Sequence, residues 1–318
     1  MNINILSLFP EIIDTYFASS IMAKAVKRQI FSYNAINIRD FACDKHKTCD
    51  DAPYGGGAGM LLLPGPLSRA LEAAGARKKI ALSGTSELAD QKNFSGGEAE
   101  YYQTQCPEDL SLQADEKCVR PDGEGRGRID ECGLLGEAAR QSENRSPQKK
   151  ARVIYLSPSG RFFDQALARE LSQEDELILI CGRYEGIDQR IIDLYVDDEI
   201  SVGDYVLSSG EVAALVVIDA VYRLVGEVIK ADSLSEESFT GGLLEYPQWT
   251  RPEIFDMLKV PDVLLSGHHE YIRRWRLQKR IEKTLRVRPD LIKKGVDMGV
   301  FDEETLVLIR GMDNAAKE

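Results

Sequence analysis

The strongest constraint on the fold is a rhythm. Short apolar runs, bounded by polar loops that carry glycine, are separated by helical patterns. Residues 3–9 form one such run, ending at Pro10. It reads as a buried strand entering a helix, because proline is tolerated in a first helical turn. Residues 33–38 read as a second strand. Over 64–79, Leu67, Leu71 and Ala74 fall at helical spacing, the apolar stripe of an amphipathic helix. Residues 153–156, 177–180 and 196–201 supply further strands, and helices begin near Asp164, Asp188 and Glu211. Apolar strands joined by helical crossovers lie parallel and buried on both faces. The alternation therefore predicts an α/β fold with a largely parallel sheet and flanking helices. From about Thr250 the pattern is helical only, over 252–258, 270–285 and two shorter segments. That predicts a smaller C-terminal all-helical domain.

Residues 81–150 break the rhythm. Only nine of these seventy residues are Leu, Ile, Val or Phe, below the roughly 20% at which a chain buries a core. The stretch is read as a low-complexity, disordered insertion. The expected organisation is one α/β domain from 1–80 and 151–230, the insertion at 81–150, a linker at 231–249 and a helical domain at 250–318.

Charge separates the same regions. The formal net charge of the 318 residues is −12, which by itself argues against a phosphate-rich partner. The insertion carries fourteen Asp and Glu against nine Lys and Arg, whereas residues 270–294 carry ten Lys and Arg against three acids. Such a patch fits either a solvated helix face or an RNA surface. No apolar run approaches the ~18 residues of a membrane span, and no secretory signal is expected at the start. The six cysteines form no CxxC pair, and Cys43, His46 and Cys49 make only a three-ligand cluster. A structural zinc site wants four, so no metal site is expected, and reduced thiols in the cytoplasm are.

Three glycine-bearing loops follow the apolar strands: Ser157-Pro-Ser-Gly-Arg161, Gly182-Arg-Tyr-Glu-Gly-Ile-Asp188 and Gly203-Asp-Tyr-Val-Leu-Ser-Ser-Gly210. Parallel sheets bind ligands beyond the carboxyl ends of their strands, where such loops converge. None matches GxGxxG or GxxxxGK[ST], and Gly55-Gly-Gly-Ala-Gly59 lacks the phosphate-binding lysine. Each loop alone could be a tight turn; three together point to a small-molecule site.

Taken in order, Ser7-Leu-Phe-Pro10, Asp51-Ala-Pro-Tyr-Gly-Gly-Gly-Ala-Gly-Met60, Tyr155-Leu-Ser-Pro-Ser-Gly-Arg161, Cys181-Gly-Arg-Tyr-Glu-Gly-Ile-Asp188, Ser201-Val-Gly-Asp-Tyr-Val-Leu207, Thr250-Arg-Pro252, Val263-Leu-Leu-Ser-Gly-His-His269 and Ile272-Arg-Arg-Trp-Arg276 resemble the bacterial tRNA (guanine-37-N1)-methyltransferases. The likeness covers nearly all of the chain outside 81–150. It implies a trefoil-knotted α/β fold of the SPOUT type, a rare exception to unthreaded chains. It further implies an S-adenosylmethionine-dependent cytoplasmic enzyme, the tRNA anticodon stem-loop as substrate, and a homodimer with its active site at the subunit interface. A role for Mg2+ is left open.

The resemblance also implies residue roles. Glu237 stands where the family has an aspartate general base, and Arg223 aligns with a catalytic arginine. Tyr155, Leu156, Pro158, Gly182, Tyr184, Glu185, Val202, Gly203, Asp204, Tyr205, Val206, Leu207 and Gly210 would bind the cofactor. Arg273, Arg274, Arg276, Lys279 and Arg280 would follow tRNA phosphates; Trp275, in the same run, could join them but by its own chemistry is read as core. The family has glycine at Ser209 and proline at Ala213. Two other readings use the same residues: a related knotted methyltransferase with another target base, and a non-catalytic RNA- or nucleotide-binding protein.

Overall fold

A computed structural model of the chain describes residues 1–79, 150–226, 228 and 237–315. The stretch read as an insertion lies outside the described residues except for Lys150, as do residues 231–236 of the expected linker. The chain divides into two compact units, Met1–Tyr222 and Arg223–Glu318.

The first unit is built on five parallel strands in the order β2-β1-β6-β5-β7. In chain order these are β1 (Asn2–Ser7), β2 (Ser32–Asn37), β5 (Arg152–Phe162), β6 (Glu176–Cys181) and β7 (Asp198–Ser201), with β3 (Asp50–Asp51) and β4 (Leu61–Leu62) forming a small antiparallel pair. Helices α1 (Pro10–Phe17), α2 (Ser20–Lys27), α3 (Pro64–Ala73), α4 (Gln165–Leu171), α5 (Gln189–Tyr195) and α6 (Gly210–Tyr222) connect and flank them. The α/β architecture with a mostly parallel sheet is thus present. Ile3, Ile5, Ile154, Ile178 and Ile180 are fully buried in the sheet, which is why these strands read as continuous apolar runs.

Helix boundaries follow local chemistry. Asp164 caps α4 by accepting from Leu167 N at 2.9 Å, and Asp188 caps α5 by accepting from Arg190 N at 2.9 Å. The helix expected over 64–79 stops at Ala73, because Gly75 turns the chain into the left-handed region (φ +89°) and Ala76 N closes onto Leu71 O. Helix α6 ends at Tyr222, so Arg223 follows the helix instead of lying on it.

One corner of the unit has a particular arrangement. Lys79 N donates to Leu194 O at 2.7 Å, and its ammonium reaches Val196 O. Lys150 pairs with Asp197 at 2.9 Å. Chain departure and chain return therefore meet on the same turn, between α5 and β7.

The second unit packs α8 (His269–Val287), α9 (Pro289–Asp297) and α10 (Glu303–Ala315) around Leu243, Ile281, Ile292, Phe301 and Ile309. A short α7 (Asp262–Leu265) precedes them. The unit is not wholly helical: 252–258, expected as a helix, contains an antiparallel hairpin of β8 (Ile254–Phe255) and β9 (Leu258–Lys259). Its two turn residues, Asp256 and Met257, both have positive φ, the geometry favoured between twisted strands. A short apolar run does not distinguish helix from hairpin by spacing alone. Leu243, placed by sequence in the linker, is buried in this unit's core.

Candidate active site

At the carboxyl ends of β5, β6 and β7 the three glycine-bearing loops enclose a cavity of about 410 Å3. Twelve of the thirteen residues expected around a cofactor line it: Tyr155, Leu156, Pro158, Gly182, Tyr184, Glu185, Val202, Gly203, Tyr205, Val206, Leu207 and Gly210. Asp204 does not. Sequence reasoning missed Arg183, Ser157, Ser159 and Ser201, which also line it. Arg183 sits inside a motif already singled out, between two expected pocket residues; only its charge set it apart.

Close backbone approach shapes the cavity. Gly210 N donates to Gly182 O at 2.9 Å, and a Cβ on Gly210 would lie 2.6 Å from Gly182 N and 2.8 Å from Cys181 Cα. A Cβ on Gly182 would come within 3.0 Å of the Tyr155 ring. Burial pushes the Tyr155 phenol above its ordinary pKa. The Tyr184 phenol is raised too, first by its hydrogen bond to Asp50. Ser209, where the resemblance implies glycine, keeps a negative φ, so no backbone strain accompanies the serine.

The glycine-rich run at 55–59 has a different use from the phosphate cradle it suggests. Met60 N donates to Glu185 Oε2 at 2.6 Å, and Glu185 N returns a bond to Met60 O at 3.2 Å. Gly59 has φ +97°, and a Cβ there would fall 1.7 Å from Glu185 Cδ. The run seats a pocket carboxylate.

Beneath the pocket, Glu211 is fully buried and accepts from Ser7 Oγ at 2.6 Å. The buried Cys181 thiol is held well above its ordinary pKa, by burial first and by Glu211 second. Cys181 and Cys49 are free, buried thiols.

Glu237 and Arg223 belong to the second unit and form an ion pair, Arg223 Nη2 to Glu237 Oε1 at 2.5 Å. Their side chains keep 33% and 37% exposure, so both remain open to a substrate. The expected RNA-facing residues divide. Arg280 is turned inward, donating to Leu244 O and Thr240 O at 3.2 and 2.9 Å, and Arg276 stacks over Tyr246 at 4.7 Å. Arg273 bridges Glu270 and Glu304, and Lys279 pairs with Glu282. Arg274 is exposed. Trp275 is half-buried against Trp249, ring centroids 5.4 Å apart.

The cavity suits S-adenosylmethionine in its donors: backbone groups freed by glycine, seryl hydroxyls, apolar walls, and one side chain of each charge, Arg183 and Glu185. Among the described residues no three His, Cys, Asp or Glu side chains converge on a possible metal position. Among them, too, no helix is long and apolar enough to cross a membrane.

Residues 1–98 and 109–294 match the family described as tRNA (Guanine-1)-methyltransferase TrmD. The matched residues run through much of 81–150, the stretch set outside the likeness in sequence. The chain is 48% identical over 314 residues to the tRNA (guanine-N(1)-)-methyltransferase of Treponema denticola, covering 99% of this chain and 100% of that protein. The enzyme of the same name from Treponema pallidum is 45% identical over 313 residues, covering 98% and 96%. That of Borrelia duttonii is 48% identical over 300 residues, covering 94% and 95%. With likeness of this extent, and with the family's motifs gathered at the ends of three parallel strands, the chain belongs to the tRNA (guanine-N1)-methyltransferase family.

Proposed function

We infer that the protein methylates N1 of guanine 37, next to the anticodon of tRNA, with S-adenosylmethionine as the methyl donor. The observation that carries this reading is the convergence of the three motif loops on one cavity of suitable size and donor content. When bound, the cofactor supplies an electrophilic methyl group on a sulfonium.

The protein's own residues meet the other requirement. N1 of neutral guanine carries a proton and is a poor nucleophile until that proton leaves. Glu237 accepts it as general base. As N1–H is removed, negative charge collects on O6, and Arg223 stabilises it. One Arg223 N–H is engaged by Glu237; a guanidinium has five, so donors remain for O6. Glutamate keeps the carboxylate of the family's aspartate and adds one methylene, so the base reaches from a slightly more distant backbone.

Supporting a homodimer are the exposed apolar side chains Val212 and Val216 on α6 and Val206 on the pocket loop. The trefoil knot is proposed on the family likeness alone. Exposed Arg274 favours an RNA-facing side on α8. The reaction belongs in the cytoplasm, where tRNA is modified.

The test uses purified protein, labelled S-adenosylmethionine and tRNA transcripts with or without guanine after the anticodon. Label at N1 only in the guanine-bearing transcript is expected. Label elsewhere would indicate another target base, and cofactor binding without turnover a binding protein. Glu237→Gln should abolish turnover and leave cofactor affinity within a few-fold; full activity in that variant would remove Glu237 as the base.

A further inference from the structure

We propose that Arg183 pairs with the carboxylate at the methionine end of the cofactor, and that buried Glu211 is the positioning residue that holds it there. The proposal rests on the reading that this cavity takes S-adenosylmethionine. Among the described lining residues, Arg183 and Glu185 are the two charged side chains, one cation and one anion two positions apart. That pair of charges is complementary to a ligand whose end is a zwitterionic amino acid.

Arg183 is fixed from three sides. Its guanidinium lies 4.4 Å over the Phe9 ring, and Nη1 donates to Ser208 O at 3.3 Å. Nε stands 3.9 Å from Glu211 Oε2, an ion-pair distance too long for a hydrogen bond. Glu211 is 0% exposed. Its Oε1 is satisfied by Ser7 Oγ–H, and that same Ser7 oxygen accepts from Phe9 N at 2.8 Å. Phe9 N–H, Ser7, Glu211, Arg183 and the Phe9 ring thus close a circle.

A buried carboxylate is tolerated when a cation compensates it. Arg183 is the cation that the described residues bring to Glu211, so the two charges hold each other in place. Nε of Arg183 and Oε2 of Glu211 are nevertheless both buried without a hydrogen-bond partner among the described residues. The guanidinium is held by charge and stacking while retaining donors for an anion. Arginine suits a carboxylate, because its planar fork can meet both oxygens. Glu185 is engaged through Oε2 by Met60 N and leaves Oε1 for the ligand's ammonium group.

The experiment compares two ligands by isothermal titration calorimetry. S-adenosylhomocysteine carries the amino-acid end; 5′-methylthioadenosine shares the adenosine and thioether but lacks it. Arg183→Ala should weaken S-adenosylhomocysteine about tenfold to a hundredfold, the scale of one charge-assisted contact, and leave methylthioadenosine unchanged. Arg183→Lys should recover part of the loss. Glu211→Gln should produce a smaller loss with the same selectivity, which a merely structural role would not. Equal weakening of both ligands in either variant, or wild-type affinity for S-adenosylhomocysteine in Arg183→Ala, would overturn the proposal. Wild-type protein that binds neither ligand would overturn the cofactor reading and this assignment with it.

Discussion

Gly210 sets the depth of the pocket, because the first residue of α6 lies directly against the backbone at the end of β6. Its missing side chain lets Gly210 N reach Gly182 O, and any Cβ would press on main-chain atoms that have nowhere to move. Gly210→Ala should therefore destabilise the protein by about 1–3 kcal/mol, the range of an overpacked interior. It should also weaken S-adenosylhomocysteine binding; urea denaturation and calorimetry would check the two effects. The position was readable in sequence as a glycine in a loop following a strand. The seat of Glu185 was not, since it joins Met60 to a residue 125 positions away. Nor was Glu211, whose place at the head of an apolar helix reads as an ordinary acidic first turn; only the fold reveals that it is buried beneath Ser7.

Elements were readable where local chemistry decided them. Asp164 and Asp188 mark helix starts because a carboxylate can accept from free N–H groups in the first turn. At α5 the Arg190 side chain also donates to Asp188, holding that carboxyl below its ordinary pKa. Asp188→Ala should cost about 1 kcal/mol near neutral pH, as cap removals do, measured by urea unfolding. The direction with pH follows from the lowered pKa. The stabilisation is present above the unfolded value of about 3.9 and is lost as pH falls through the lower folded value. The gap between wild type and variant should therefore close in strong acid. Elements failed to be readable where two structures share one pattern. The run Ile-Phe-Asp-Met-Leu-Lys at 254–259 satisfies helical spacing, yet two consecutive positive φ angles at Asp256 and Met257 commit it to a hairpin. Likewise α8 looked like a uniform basic face, but Arg276 and Arg280 serve the fold of their own unit, against Tyr246 and the carbonyls of Thr240 and Leu244.

At the scale of the whole molecule, the acidic total of −12 misleads because it averages unlike regions. The parallel sheet was readable because buried strands advertise themselves as unbroken apolar runs; strand order was not, since it depends on which crossover passes which edge. The anchors of Lys79 and Lys150 on the α5–β7 turn allow a direct test of what 80–149 contributes. A six-residue Gly/Ser linker can span up to about 20 Å, ample for two ends held on adjacent residues. Replacing 80–149 with such a linker should leave the thermal midpoint and S-adenosylhomocysteine affinity unchanged. An insoluble product, or one that binds no cofactor, would make that stretch part of the core. The corner has a mechanical meaning as well. It lies at the amino ends of β5 and β7, whereas the pocket opens at their carboxyl ends. A fluorescent reporter grafted between the two lysines would ride at the end of the sheet remote from the chemistry, like a pennant fixed at a single point.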